Sequence, residues 1–313
     1  MSCGLLLLDK PLGLSSNGAT QRVRRLLREP KAGHVGSLDP LATGMLPICL
    51  GEATKLAGEV LDGDKVYTFR IALGSRTATG DTEGEVIETA AVPPLQADGL
   101  RQVLAGFLGE SLQVPPMYSA LKSEGRPLYE LARAGITVER AARRIRIERL
   151  ELRALGPDWL DCELRCGKGT YVRSLAEDIA RALGTCGHVA VLRREAVEPF
   201  DAESMITLPA LEAALARGEA PPLLAPDVAV EHLPAVELAA DFARRVQMGQ
   251  AVRVEPAPTP PPMPQAAGQE AGENEWTVRL YAAGKEFMGL GWARADGRIR
   301  AKRLFVAPGS PAP

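Results

Sequence analysis

The sequence predicts an α/β (α+β) protein with a small β-rich domain at its C-terminal end, and three observations carry that expectation. Short apolar or alternating runs are interleaved with segments of helical period along the first two thirds of the chain. Residues 158–183 read as a strand, a tight turn and a helix in succession. After Pro226 the texture shifts to short strand-like segments around a proline-dense stretch.

Leu5 to Leu8 is a strand ended by Asp9-Lys10-Pro11-Leu12-Gly13, because proline cannot donate to a ladder and glycine permits the bend. Ser15 or Ser16 then caps a helix reaching about Leu27, with Val23, Leu26 and Leu27 apolar and four arginines polar. Tyr67–Leu73, Val86–Glu88 and Arg143–Leu155 are strands, the last with a slip at Glu148-Arg149 that reads as a bulge. Leu100–Leu108 and Leu128–Ala134 are helical. In 158–183, Gly167-Lys168-Gly169 turns the chain into a helix from Thr170, placing Tyr171 and Arg173 in a first turn whose free donors favour an anion. This is no nucleotide-binding P-loop, since the contiguous Gly-Lys-Ser/Thr and the upstream glycine are missing. Strand-like segments at 251–254, 276–281, 287–293 and 298–306 suggest a small barrel interrupted by a disordered Pro-rich insertion, 255–275.

With 313 residues, 46% hydrophobic and 24% charged, the chain has material for about two domains and a sizeable core, which excludes disordered, collagen-like and disulfide-scaffold classes. Five cysteines without a CxxC pair and three scattered histidines give no zinc-site pattern. No secretory leader or membrane span is legible, so a reducing, cytoplasmic setting is expected. The 37 basic and 39 acidic residues nearly cancel, but they are segregated. Residues 119–153 and 165–194 are net basic, whereas 195–241 hold ten acidic residues and one arginine. Local patches, not the sum, steer a ligand, so a polyanionic partner stays open.

The densest group of special residues is Gly33-His34-Val35-Gly36-Ser37-Leu38-Asp39-Pro40-Leu41-Ala42-Thr43-Gly44-Met45-Leu46-Pro47, which has neither helical nor strand period and reads as a rigid shaped loop. Alone, Asp39 before a proline is a turn cap, and His34 a structural histidine. Tyr67 by periodicity is a core aromatic.

Context changes that reading. The run Asp9–Ser16 followed by Gly33–Gly44 resembles the bacterial tRNA pseudouridine-55 synthases of the TruB family. The resemblance continues through Arg76-Thr77-Ala78-Thr79-Gly80-Asp81, Gln113–Lys122, Leu128–Arg133, Lys168-Gly169-Thr170-Tyr171-Val172-Arg173 and Leu192-Arg193-Arg194, in the same order over about 190 residues. Val35 and Ser37 depart from the residues many relatives carry, at positions that do not bear the reaction.

The resemblance implies a catalytic domain over 1–232 built on a central mixed, mainly antiparallel sheet, with a thumb-like RNA-contacting insertion at 115–143, and a PUA-like RNA-binding domain over 233–313. It implies isomerisation of a uridine in the T loop of tRNA, a redox-neutral reaction that needs no cofactor and no metal, by a monomer with no membrane partner. Asp39 matches the catalytic aspartate, and Arg173 the arginine that keeps it ionised. Tyr67 matches a tyrosine that stacks on the target base and is a candidate acceptor of the C5 proton. Tyr171 and Leu192 match pocket walls, and His34 a ring that fills the space left by a flipped base. Lys10 and the arginines of 119–153 and 165–194 would contact phosphates.

Two other classes are weighed against this one. An RNA-binding or RNA-folding protein would use the same basic patches, and a metal-dependent hydrolase would join His34 to Asp39. The charge pattern adds an expectation of its own: the acidic stretch 195–241 lies away from Asp39.

Overall fold

The four consecutive leucines of the first strand are buried on both faces, and the period of two divides them between two cores. Leu6 and Leu8 join one hydrophobic cluster, Leu5 and Leu7 another. This arrangement comes from a computed structural model that describes residues 3–61, 63–260 and 274–305. Each such leucine contributes roughly 1.5–3 kcal/mol relative to an exposed one, which makes this strand an anchor of the fold.

In chain order the first half contains β1 (Gly4–Lys10), α1 (Ser16–Leu26), β2 (Ala32–His34), β3 (Thr43–Leu50), α2 (Ala57–Leu61), β4 (Lys65–Leu73), β5 (Ser75–Thr77), β6 (Val86–Thr89), α3 (Ala97–Ala105) and β7 (Gly109–Gln113). Next come the small hairpin β8 (Lys122–Ser123) and β9 (Arg126–Pro127), then α4 (Leu128–Arg133), β10 (Arg143–Leu155), β11 (Trp159–Cys166), α5 (Val172–Ala182), β12 (Gly187–Val197), β13 (Ile206–Thr207) and α6 (Leu208–Ala216). Nine strands form the central sheet in the order β13-β1-β3-β12-β4-β11-β10-β7, with β2 paired to β3. Only β1–β13 and β3–β12 are parallel. The sheet is therefore mixed and mainly antiparallel, as expected.

Helices α1, α3, α5 and α6 contribute Val23, Leu104, Ile179 and Leu211 to one hydrophobic cluster that also holds Tyr67, Phe69 and Ile71 of β4. On the other face, β4, β10 and β11 are half exposed and covered by charged pairs: Arg70–Asp161 at 2.6 Å, and Glu163 between Arg149 and Arg153. The expected bulge in β10 is present as a register shift between Ile147 and Arg149, with a second after Leu152.

Three elements differ from expectation for identifiable reasons. Helix α3 starts at Ala97, because apolar periodicity marks only the buried stripe, whereas Asp98 in the first turn favours the helix N-terminus. Segment 33–47 is not loop throughout, since β2 and β3 claim its ends and leave 35–42 as the loop. Pro47 disguised β3. Its carbonyl accepts the Val35 N–H at 2.9 Å, and the two backbone polar groups of a residue face the same side of a strand, so its missing donor costs the β1 ladder nothing.

The C-terminal region contains β14 (Ala235–Glu237), α7 (Ala240–Gln247), β15 (Val252–Arg253), β16 (Glu275–Ala282), β17 (Glu286–Arg294) and β18 (Arg298–Leu304). They form a five-stranded sheet in the linear order β14-β16-β17-β18-β15, an open sheet among the described residues where a small barrel was expected. Most of the expected insertion, 261–273, lies outside the described residues, as does Val306. Glu275 belongs to β16, with its buried carboxylate paired to Arg294 at 2.9 Å and Arg300 at 2.6 Å. Leu290 and Phe287 pack into the cluster containing Leu5 and Leu7, and Lys302 pairs with Glu59 at 2.9 Å, so this sheet is seated on the β1–β3 side of the central one. Among the described residues no helix is long and apolar enough to cross a membrane.

Candidate active site

Loop 35–42 is held by side chains on both flanks. Ser15 caps α1 by accepting the Gly18 N–H, which frees Ser16 for another task. The buried Ser16 hydroxyl accepts the Leu38 N–H at 2.7 Å and donates to the Leu38 carbonyl at 2.9 Å. The Gly13 N–H donates to the Pro40 carbonyl at 2.8 Å. Asp39 is thus presented between two braced residues, its carboxylate half exposed.

The partner of Asp39 is Arg173 in the first turn of α5. Its Nε lies 2.9 Å from the Asp39 carboxylate, while Nη1 donates to the Thr79 carbonyl at 2.8 Å and Nη2 to the Tyr118 carbonyl at 2.6 Å. The guanidinium is buried and committed on every side. Asp81, also buried, lies 3.7 Å from the same Nε and accepts from the Thr79 hydroxyl and the Glu83 N–H. Burial raises the Asp39 carboxyl above its ordinary 3.8, Arg173 is the largest influence opposing that rise, and Asp81 adds to it. Arg173 thus opposes a burial effect larger than its own.

Helix α5 begins at Val172, so Tyr171 is the residue before the helix and not within its first turn. The cause is Gln113. Its buried amide accepts the Tyr171 N–H at 2.8 Å and donates to the Tyr171 carbonyl at 3.1 Å, holding that residue extended. Tyr67 on β4 and Leu192 on β12 are buried, one strand apart. Burial pushes both phenols, Tyr67 and Tyr171, above their ordinary range, and the charge of Asp39 reaches both. The structure gathers Asp39, Arg173, Tyr67 and Tyr171 in one place.

His34 ends β2 at the start of the Asp39 loop, its Nδ1 3.1 Å from the Thr20 hydroxyl and its Nε2 3.2 Å from that of Ser37. Both ring nitrogens face hydroxyls, so the hydrolytic pairing of His34 with Asp39 finds no geometric support. Lys10 corrects an expectation. It is fully buried, and its ammonium donates to the carbonyls of Leu14 at 2.6 Å, Pro11 at 2.9 Å and Pro40 at 3.5 Å. From there it cannot reach a phosphate; it ties the turn after β1 to the Asp39 loop. Burial lowers its pKa to about 8.

The basic segments need the same correction. Arg146, Arg149, Arg153, Arg165 and Arg193 are paired with Asp64, Glu163, Glu148, Glu198 and Asp9 on the exposed sheet face. Lys122, Arg126 and Arg143, Arg24 and Arg25 on α1, and Arg28 just after it are among the cations that make no ion pair among the described residues, and so are open to a polyanion. Asp81 and Glu83 are the carboxylates whose charges couple to Asp39, and both lie outside the stretch 195–241.

Sequence reasoning missed Ser16, Asp81, Gln113 and Arg194 as site-building residues. All four stand inside the quoted motifs, but no spacing marks a hydroxyl that braces a loop or an amide that reads a backbone. Arg194 is the extreme case, an arginine 1% exposed and bonded to the carbonyls of Met45 and Gly36. Among the described residues no group of three or more His, Cys, Asp or Glu side chains is placed to hold a metal ion.

Comparison with known proteins follows the same residues. Residues 24–172 match the model of the TruB family pseudouridylate synthase N-terminal domain, 173–226 the tRNA pseudouridylate synthase B C-terminal domain, and 234–305 the pseudouridine synthase II TruB C-terminal model. The chain is 49% identical over 308 residues to tRNA pseudouridine synthase B of Nitrosococcus oceani, covering 97% of this chain and 95% of that protein. It is 49% identical over 301 residues to the protein of the same name from Aromatoleum aromaticum, covering 96% and 92%. Among solved structures, a Cbf5-Nop10-Gar1 complex contains a chain that superposes with TM-score 0.71 at 26% identity, covering 97% of this chain and 85% of the matched one. The motif order, the sheet and these likenesses agree across almost the whole length, and the chain belongs to the TruB family of pseudouridine synthases, which are isomerases.

Proposed function

We propose that this protein isomerises uridine to pseudouridine at position 55 in the T loop of tRNA. The bond from ribose C1′ to base N1 breaks, the detached uracil turns, and C1′ is rejoined to C5. The C5 proton leaves to a base and N1 gains one, so the reaction balances without an oxidant, a reductant or a cofactor. The observation that carries this reading is the Asp39–Arg173 pair at 2.9 Å, a carboxylate held beside a buried guanidinium and two tyrosines at the mouth of a braced loop.

In this reading ionised Asp39 either attacks C1′ or stabilises and deprotonates an intermediate derived from it. Tyr67 stacks on the flipped uracil and stands ready to accept the C5 proton, with Leu192 and Tyr171 closing the pocket. Flipping costs a few kcal/mol of stacking, which the His34 ring compensates in the emptied T loop. The free cations of α1 and of segment 115–143 bind the phosphates of the T arm. The names of the relatives, tRNA pseudouridine synthases, support the choice of tRNA.

The test is tritium release from tRNA transcripts carrying C5-tritiated uridine. Release is expected to equal one uridine per tRNA and to vanish when position 55 alone is changed to cytidine. Undiminished release from that variant transcript would overturn the assignment of position.

A further inference from the structure

Strand β12 carries two adjacent arginines with opposite fates. Arg193 points to the exposed face and forms a two-point pair with Asp9 at 2.9 and 3.1 Å. Arg194 is turned inward, is 1% exposed and makes no ion pair among the described residues. Its Nε donates to the Met45 carbonyl at 2.7 Å and its Nη2 to the Gly36 carbonyl at 2.8 Å, and its charge acts on the phenol of Tyr67.

A buried cation without a counter-charge is costly unless its donors are well used. These donors meet the two ends of one segment, since Gly36 stands three residues before Asp39 and Met45 six after it. The backbone adds to the fit. Gly36 has φ +69° with Arg194 Nη1 only 3.1 Å from where a Cβ would stand, and Gly44 has φ +96° with the Arg194 carbonyl 2.2 Å from such a Cβ. Gly36 in the loop and Gly44 at the start of β3, both with positive φ, are therefore seated on this one residue. On the neighbouring strand, Tyr67 is the cross-strand partner of Arg194.

We propose that Arg194 is a positioning residue for the isomerisation: it ties together the two ends of the Asp39 loop beside its cross-strand partner Tyr67, fixing the carboxylate and the phenol relative to one another. The proposal rests on the assignment of Asp39 and Tyr67 to the reacting uridine. A core arginine with a structural role alone would lower stability and leave the rate of the folded enzyme intact.

The experiment compares wild type, Arg194→Lys, Arg194→Gln, Tyr67→Phe and the Arg194→Lys/Tyr67→Phe double variant in single-turnover tritium release from C5-tritiated tRNA transcript, with the folded fraction set by a thermal melt. Lysine keeps the charge but cannot span both carbonyls. Folded Arg194→Lys is expected to turn over about 100-fold more slowly, the scale on which a misplaced reacting group costs rate, with tRNA affinity unchanged. Because Arg194 acts partly through Tyr67, the double variant is expected to lose less than the product of the single losses. Wild-type turnover by folded Arg194→Lys, or losses that multiply in full, would overturn the proposal. If Arg194→Gln fails to fold, the lysine variant alone decides. Wild-type turnover by Tyr67→Phe would instead remove the assignment beneath the proposal, and is read separately.

Discussion

The exposed face of the central sheet and the Asp39 loop use cations in opposite ways. On the sheet face, arginines from β4, β10, β11 and β12 meet carboxylates from other segments in exposed or half-exposed ion pairs. Around the loop, Lys10, Arg173 and Arg194 are buried and spend most of their donors on backbone carbonyls, and only Arg173 meets a carboxylate. Exposed pairs contribute little, because water and side-chain entropy offset most of the attraction. Buried cations bonded to carbonyls fix the backbone they touch. Basic residues cluster in both regions, but only one of the two builds a site.

Substitutions should separate the regions by the size of their effects. Arg173→Met leaves the Thr79 and Tyr118 carbonyls without their donors and Asp39 without its partner. It should slow single-turnover isomerisation by at least about 100-fold; a folded variant within a few-fold of wild type would equate the two regions.

Lys10 offers a test by pH. Its folded pKa, about 8, is depressed below the ordinary 10.5. Between those values the unfolded chain binds more protons than the folded one, so this residue's contribution to stability rises with pH through that window. Denaturation of wild type and Lys10→Met at pH 7.5 and 10.5 should show the difference moving in favour of wild type, by up to about 3 kcal/mol. A pH-independent difference would place the ammonium in water.

Smaller effects follow. Ser16→Ala removes both bonds to Leu38 and should cost about 1–3 kcal/mol in urea unfolding, with a rate loss because Asp39 is the next residue. Arg149→Ala, on the sheet face, should cost less than about 1 kcal/mol and leave turnover unchanged. A larger loss there would mean that the exposed lattice helps to shape the site.

What was legible in the sequence was whatever one element shows by itself. The leucine run of β1, the serine cap of α1 and the bulge of β10 are local patterns with local causes. Strand β3 was hidden by Pro47, whose missing donor falls where no ladder bond to β1 is needed. Asp39 and Arg173 were joined by family resemblance, because a separation of that length carries no spacing signal. The burial of Lys10 and Arg194 was invisible, since a lysine or arginine in a basic run looks solvated until the fold shows which carbonyls surround it. The positive segments therefore overstated the RNA-binding surface. Arg24, Arg25, Lys122, Arg126 and Arg143 make no ion pair among the described residues, and the salt dependence of tRNA binding should weaken when those, and not the sheet-face arginines, are removed.

The central claim is that the Asp39 carboxylate performs the chemistry. Asp39→Asn keeps the size and polarity of the side chain and removes only its charge. Under single-turnover conditions with C5-tritiated tRNA, the wild-type protein should release tritium and the folded Asp39→Asn variant should bind tRNA yet release none. Equal release by both would contradict the account.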